Sequence, residues 1–231
     1  MMSIADNYRM ISNNVKEAAV KSGRGADDVT LVAVTKFVDK DRILQAIEAG
    51  ADNVGENRVQ EFVDKEEFFK NYKINTHFIG QLQTNKVKYV LGKVKLVQSV
   101  DRLALAKELS RVATLRGLSQ DILIEVNIGR EEQKGGVMPE QLCELLSQIQ
   151  ELPGIFVKGL MCVPPAVGER EVHAYFAQMR KLFDDVAAMR IENVSMDVLS
   201  MGMSSDYMAA IAEGSTMVRV GSALFGARAK I

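Results

Sequence analysis

The stretch TLVAVTKFVDKDRILQAIEAG, residues 30–50, contains one complete unit of the pattern that predicts the fold. Its first part, TLVAVT, is a short apolar run of the kind that forms a buried strand. Its second part, residues 39–50, carries apolar residues at helical spacing, with an aspartate in front and a glycine at the end, as helices commonly do. The stretch therefore predicts a strand followed directly by a helix.

The same unit recurs along the chain. Apolar runs that predict strands lie at residues 30–35, 52–56, 77–80, 96–100, 121–127, 156–162, 195–200 and 217–221. Helix-period segments separate them, and those at residues 99–117 and 139–154 again have capping residues in front and glycine at the end. Short strands that alternate with helices in a chain of this length predict an α/β fold, the (β/α)8 or TIM barrel.

A doubly wound open sheet is the main alternative to the barrel. The runs at residues 52–56 and 77–80 are short for an open sheet, and no GxGxxG motif follows the first strand to open a dinucleotide site. An extra helix from about Ile4 to Lys21 precedes the first strand. Because no linker, low-complexity tract or repeat divides the chain, we expect one domain over residues 1–231.

Composition limits the class of protein and its partners. The chain has 231 residues, of which 47% are hydrophobic, and a mean hydropathy of -0.01, as globular proteins do. With 29 basic and 30 acidic residues, it has no general attraction to nucleic acid or to an anionic membrane. The start lacks a signal-peptide pattern, and no window is apolar enough for a membrane span. We therefore expect a soluble, cytoplasmic protein with a small-molecule partner.

The sulfur and imidazole side chains do not predict a metal site. Cys143 and Cys162 are the two cysteines, and the chain has two histidines, without metal-ligand spacing. We expect both cysteines to be buried, reduced thiols, the first on a helix and the second on a strand. That state suits the cytoplasm.

Lys36 stands where the chemistry of a barrel is found, at the carboxyl end of the first strand. With Val34 and Phe37 nearby, its amine would be partly desolvated, which lowers the pKa of an ammonium group and frees the amine to attack a carbonyl. A Schiff base begins in this way. The alternative is a strand-end lysine whose stem packs on apolar neighbours while its charge reaches water.

Two later strand ends predict phosphate binding. Gly202 and Ser204 come after the seventh strand and directly before a helix-like segment, and Gly221 with Ser222 forms a similar turn after the eighth. Exposed N–H groups at such turns suit a phosphate, and barrels often bind one at these loops. The alternative is ordinary helix capping by serine. Two candidate phosphate loops and a lysine indicate a phosphorylated aldehyde as the ligand.

Seven motifs in order along the chain make a family resemblance specific. They are AVTK at residues 33–36, GENRVQE at 55–61, HFIGQLQTNK at 77–86, EVNIGREEQKGG at 125–136, GLMC at 159–162, LSMGMSSDY at 199–207 and VRVGSALFG at 218–226. Together they resemble the YggS/PROSC family of pyridoxal 5′-phosphate (PLP) homeostasis proteins, through nearly the whole chain.

The resemblance implies a barrel similar to the N-terminal domain of alanine racemase, with PLP as its cofactor held as a Schiff base on Lys36. The residues it implies for cofactor binding are Lys36, Asn57, His77, Ser200, Met201, Ser204, Arg219, Gly221 and Ser222. In the family, the positions matching Ser204 and the Gly221–Ser222 turn hold the phosphate, and the one matching Arg219 faces the pyridine nitrogen. The other matched positions line the cofactor cavity or lie beside it. No catalytic or metal-binding residue is implied.

Arg219 has a chemical consequence if it faces the ring. A guanidinium group does not give up a proton at neutral pH, so a pyridine nitrogen beside it stays largely unprotonated and the ring is a poorer acceptor of electrons. The alternative role is an ion pair at the barrel mouth, for instance with Glu56 or Asp197. Both uses could coexist.

Three functions fit these residues. The first, which we favour, is a monomeric, non-enzymatic PLP-binding protein that stores, buffers or delivers the cofactor and so affects amino-acid and keto-acid balance, with PLP-dependent apoenzymes as candidate recipients. The second is an amino-acid racemase with weak activity, and the third is a lysine-dependent aldolase. Racemisation needs a base on each face of the substrate. Lys36 supplies one base, and no other is evident near the cofactor loops except Tyr207.

Overall fold

The computed structural model describes residues 3–226, in which eight parallel strands form a closed barrel in sequence order. The last strand pairs with the first and closes the ring. The strands are β1 (Thr30–Val34), β2 (Asn53–Glu56), β3 (Asn75–Phe78), β4 (Leu96–Val100), β5 (Gln120–Val126), β6 (Ile155–Cys162), β7 (Val194–Ser200) and β8 (Met217–Val220). The predicted (β/α)8 barrel is confirmed.

Helices follow every strand, and one precedes the first. They are α1 (Ile4–Lys21), α2 (Lys40–Glu48), α3 (Val59–Asn71), α4 (Val87–Val90), α5 (Leu103–Arg116), α6 (Leu142–Ile149), α7 (Glu169–Met189), α8 (Tyr207–Ala212) and α9 (Ser222–Phe225). The extra helix α1 has the predicted bounds. A capping box between Ser3 and Asp6 fixes its start, and it packs against α2, α8 and α9.

The structure tests the predicted strand starts and helix caps, and it differs from the prediction at the start of β3 and at two helix starts. Strand β3 begins at Asn75, because its polar first residues pair with β2 through backbone bonds that an apolar pattern does not reveal. The side chain of Asp39 caps α2, as expected. The predicted side-chain cap at the start is absent from α5 and α6, since Arg102 and Gln141 make no such hydrogen bond. The predicted glycine at the end of α5 is confirmed, because Gly117 caps that helix in the left-handed conformation.

The strands separate an inner and an outer layer of side chains, because successive residues of a strand point to opposite faces. Within the barrel, an apolar layer is formed by Val32, Leu96, Leu123, Met161 and Met217. Most of the apolar core lies outside this layer, between the strands and the helices. The carboxyl ends of the strands therefore form a mouth above a filled interior.

The cysteines partly differ from expectation. Both thiols are free, and Cys162 is buried, but Cys143 is exposed, because the buried positions of α6 are Leu142, Leu145, Leu146 and Ile149. Burial in the strand layer raises the pKa of the Cys162 thiol to about 12. Within residues 3–226, no helix has the length and apolar character needed to cross a membrane.

Candidate functional site

Lys36 lies at the barrel mouth, just beyond β1, and is partly buried. Its strand pairs with β8, where Val32 is opposite Arg219, and with β2, where Val34 is opposite Gly55. Lys36 follows Val34 by two residues, in the turn at the carboxyl end of β1. The lysine therefore shares the mouth with the ends of β2 and β8.

Helix α3 fixes the chain direction directly after Lys36. Phe37 has a φ of 60°, a left-handed conformation that is unfavourable for a residue with a side chain. Its N–H donates to the carboxylate of Glu61 at 2.7 Å, and the guanidinium of Arg58 lies 4.6 Å from the centre of its ring. These contacts hold the turn in place and so fix the backbone that carries the lysine.

A buried ion pair supports the same turn from the helix side. The Nζ atom of Lys65 donates to Glu56 Oε1 and to the carbonyl oxygen of Thr35, both at 2.8 Å. The hydroxyl of Thr35 donates to the same carboxylate oxygen at 2.6 Å. Burial raises the pKa of Glu56, and Lys65 opposes that rise. Glu56 therefore belongs to the layer between β2 and α3.

Arg219 is buried, with 4% of its surface exposed, and its guanidinium is bound by neutral groups. Nη1 donates to Ser200 Oγ at 2.6 Å, and Nη2 donates to the carbonyl oxygen of Cys162 at 2.8 Å. Burial lowers the pKa of Arg219, and the charges of Glu125 and Asp206 are among those that oppose this effect.

Neither carboxylate considered as a partner for Arg219 takes that role. Glu56 is occupied by Lys65, and Asp197 lies near Lys158 with 63% of its side chain exposed. An ion pair with either residue therefore does not explain why an arginine stands at position 219.

The two predicted phosphate loops meet. Ser204 Oγ accepts hydrogen bonds from the N–H of Gly221 at 3.1 Å and from the N–H of Ala223 at 3.2 Å. Ser222 lies between these donors and is exposed. A side chain at Gly221 would come within 3.3 Å of Val34 Cβ on β1. Hydroxyl and backbone donors therefore converge beside the strand that leads to the lysine.

Asn57, His77 and Met201 occupy three different environments. Oδ1 of Asn57, just after β2, is buried and accepts no hydrogen bond from the described chain, so it can accept one from a ligand. His77 lies deeper in the barrel, 1% exposed, between Asn53 and Gln98. The side chain of Met201 is fully buried in the outer core, which leaves its backbone as the part near the mouth.

Tyr207 is directed away from the mouth. Its hydroxyl accepts a hydrogen bond from Asn14 Nδ2 of α1 at 3.2 Å, and its ring belongs to the core cluster that α1 helps to form. The tyrosine nearest to the predicted phosphate loops in sequence thus makes its contacts on the outer side of α8.

Glu125 is an ionisable group of the mouth that the sequence reading missed. Burial, helped by the charge of Asp101 and opposed by the charge of Arg219, raises the pKa of its carboxyl to about 7. A side chain at Gly135 would lie 3.5 Å from Asp101 Oδ2 and 3.9 Å from Glu125 Oε1. The available signal was an acidic residue two positions after Leu123, on the inward side of β5 close to its carboxyl end.

Comparisons with known proteins agree with this arrangement. Residues 7–229 match the family model described as "Alanine racemase, N-terminal domain". A pyridoxal phosphate homeostasis protein of Aquifex aeolicus is 44% identical over 228 residues, which cover 98% of this chain and 99% of the relative.

Two solved structures are also similar. The structure of an unknown protein from Bifidobacterium adolescentis has 37% identity and a TM-score of 0.91, covering 96% of this chain and 94% of the other. PipY of Synechococcus elongatus, solved with PLP bound, has 33% identity and a TM-score of 0.82, covering 97% and 100%. The chain belongs to the alanine racemase N-terminal domain family and, within it, to the pyridoxal phosphate homeostasis proteins.

Proposed function

We propose that this chain binds PLP through a Schiff base on Lys36 and serves the cell as a PLP-homeostasis protein that stores, buffers or delivers the cofactor. The single observation that carries the proposal is the position of Arg219. Its guanidinium is buried at the mouth on neutral acceptors, in the strand that leads into the Gly221–Ser222 turn and pairs with the strand that precedes Lys36.

The groups at the mouth fit the functional groups of PLP. The Lys36 amine would condense with the aldehyde and release water. Ser204, Ser222 and the backbone N–H groups around them would hold the phosphate, and the guanidinium of Arg219 would donate to the ring nitrogen. The unpaired Oδ1 of Asn57 could accept a hydrogen bond from the ring hydroxyl. PLP supplies an electron-accepting ring when bound.

The proposal extends to the setting in which the protein acts. We infer one PLP-binding domain over residues 1–231, a monomer, and the cytoplasm as its compartment, with PLP-dependent apoenzymes as recipients. The unpaired thiols of Cys143 and Cys162 support a reducing compartment. Size-exclusion chromatography with light scattering tests the monomer, and transfer to an apoenzyme across a dialysis membrane compared with direct mixing tests delivery.

Visible absorption tests PLP binding. Purified protein mixed with PLP and freed of excess ligand should be yellow, and hydroxylamine should remove the visible band. Lys36→Ala should show no such band, because it lacks the proposed amine. Protein that stays colourless in the presence of PLP would contradict the proposed function and would favour the aldolase.

A weak racemase is the second candidate, and Glu125 is the observation that favours it. Its carboxyl lies near Arg219, and its pKa of about 7 lets it exchange protons near neutral pH. Exchange of the amino-acid α-proton with solvent separates the two functions, because storage and delivery require none.

A further inference from the structure

A continuous row of polar side chains crosses the barrel interior below Arg219. Arg219 Nη1 lies 2.6 Å from Ser200 Oγ, which lies 2.7 Å from Gln98 Oε1. Gln98 Nε2 lies 3.0 Å from His77 Nδ1, and His77 Nε2 lies 2.9 Å from Asn53 Oδ1. The least buried of the five, Asn53, is 7% exposed. The row therefore connects the mouth to the amino-terminal end of β2 through a region almost free of solvent.

The upper half of the row runs in one direction. The guanidinium of Arg219 can only donate, so Ser200 Oγ must accept and its hydroxyl hydrogen is directed to Gln98 Oε1. This orientation makes the Gln98 amide nitrogen a donor, with hydrogens directed to His77 Nδ1 and to the sulfur of Met217 at 3.1 Å. Both ends of the Gln98 amide are thus used.

The lower half has the same direction. His77 Nδ1 accepts from Gln98, so the imidazole hydrogen is on Nε2 and is donated to Asn53 Oδ1. Asn53 Nδ2 then donates to the carboxylate of Asp52 at 2.8 Å. A protonated His77 would place two donors against each other at Gln98. Burial, and secondarily the charge of Lys95, lowers the pKa of His77 to about 3, in agreement with a neutral ring.

We propose that Gln98 is a positioning residue for Arg219. By accepting the Ser200 hydroxyl hydrogen, Gln98 directs a lone pair of Ser200 Oγ toward the Arg219 guanidinium. This contact fixes the cation at the mouth without a carboxylate partner. Hydrogen bonds that share one direction polarise each other, so the row strengthens the acceptor at Ser200. This inference rests on the proposed PLP site, in which Arg219 meets the ring nitrogen. In that site, His77 would influence the cofactor only indirectly, through Gln98, Ser200 and Arg219.

The test compares Gln98→Leu and Gln98→Glu with a matched control, Gln120→Leu. Gln120 is also a buried glutamine, 3% exposed, and its side-chain amide bonds to the backbone of Gly92, Val94, Lys95 and Asp121. It stands at the first residue of β5. Gln120→Leu should therefore lower the free energy of unfolding without changing the contacts of Arg219.

The first measurement is nitrogen NMR of the histidine rings in protein without PLP. In the parent, His77 should stay neutral with hydrogen on Nε2 from pH 5 to 8. In Gln98→Glu, the carboxylate becomes an acceptor beside Nδ1, so His77 should move its hydrogen to Nδ1 or become protonated in that range. An unchanged His77 signal in Gln98→Glu would overturn the proposed row. This measurement does not depend on PLP binding.

The second measurement is the spectrum and release of bound PLP. Gln98→Leu should shift the visible maximum and release PLP up to about tenfold faster, as the loss of one orienting hydrogen bond implies, whereas Gln120→Leu should match the parent in both. Native spectrum and release in Gln98→Leu would overturn the positioning role. If Gln98→Leu does not fold, Gln98→Met, which also lacks an acceptor for the Ser200 hydroxyl, takes its place. Failure of the parent to bind PLP would instead reject the proposed function, while the NMR result would still test the row.

Discussion

The carboxyl of Glu125 makes the stability of the protein depend on pH. Burial, helped by the charge of Asp101, raises its pKa from 4.5 to about 7, against the opposing charge of Arg219. The folded state therefore binds the Glu125 proton more tightly than the unfolded state does. Its contribution to stability is fully present below about pH 4.5 and is lost as pH rises through 7.

Glu125→Gln should remove this dependence. Between pH 5 and 8, the free energy of unfolding of the parent should fall relative to that of the variant by at most about 3 kcal/mol. Urea unfolding at both pH values measures the difference. Asp101→Asn should reduce the dependence without abolishing it, since burial is the larger cause. Parallel pH profiles for the parent and Glu125→Gln would show that the carboxyl is not perturbed in this way.

The serines at the two mouth loops should distinguish PLP from pyridoxal. Ser204→Ala and Ser222→Ala should each weaken PLP retention by about 1.5–3 kcal/mol without preventing the Schiff base, because in the proposed site each would remove a hydrogen bond to the charged phosphate. Equilibrium dialysis with PLP and with pyridoxal measures the effect, which should vanish for pyridoxal.

Ser205→Ala is the matched control for these variants, because Ser205 is an exposed neighbour whose hydroxyl contacts Asp206 at 3.4 Å. It should bind PLP as the parent does. Equal affinity of the parent for pyridoxal and PLP would refute the assignment of the phosphate loops.

At the level of secondary-structure elements, the attachment of α3 to β2 depends on the Glu56–Lys65 pair. Lys65→Met would leave the buried carboxylate of Glu56 without its cation, and removing one partner of a buried pair costs about 3–5 kcal/mol. The free energy of unfolding should fall by that amount. Glu56→Gln combined with Lys65→Met should recover part of the loss, since the uncompensated charge is gone.

Lys93→Met is the surface control for this experiment. Lys93 pairs with Glu66 at 2.7 Å but keeps 40% of its side chain exposed, so its replacement should change the unfolding free energy by no more than about 1 kcal/mol. A loss of the same small size in Lys65→Met would show that the Glu56–Lys65 pair does not support the turn after Lys36.

The elements were largely predictable because most strands contain an apolar run and the long helices carry apolar residues at helical spacing. The bounds of α1 and β4 agree with those predicted. Strand β3 was placed late because its polar first residues, beginning with Asn75, carry no apolar signal. No side chain caps the start of α5 or α6, and α6 instead continues directly from a 3-10 turn over Pro139–Gln141, which a search for capping residues does not detect.

The mouth was less predictable than the barrel. The motifs named Lys36, Ser204 and Arg219, and the structure places them at the ends of β1, β7 and β8. Gln98 and Glu125 were missed because a polar residue within an apolar strand acquires its meaning only from partners on other strands. The Gln98 contacts come from β3, β7 and β8, which no local pattern connects.

For the whole molecule, the balance between binding and catalysis can be measured by proton exchange. We expect slow exchange of the amino-acid α-proton in heavy water and little inversion. In the proposed site, a ring nitrogen facing Arg219 would stay unprotonated and would accept negative charge poorly. Tyr207 is engaged with Asn14 on the outer side of the barrel. Proton NMR of alanine and other common amino acids with PLP-loaded protein follows the exchange. Rapid racemisation that is lost in Lys36→Ala and slowed in Glu125→Gln would make the protein an enzyme.

The central claim is that Lys36 is the residue that holds PLP, and borohydride reduction followed by peptide mass mapping tests it most directly. Reduction of the PLP-loaded parent should fix the cofactor on the peptide that contains Lys36, and Lys36→Ala should fold normally but yield no reduced adduct. An adduct of the parent found mainly on another lysine, or none in protein that shows the visible band, would contradict the account.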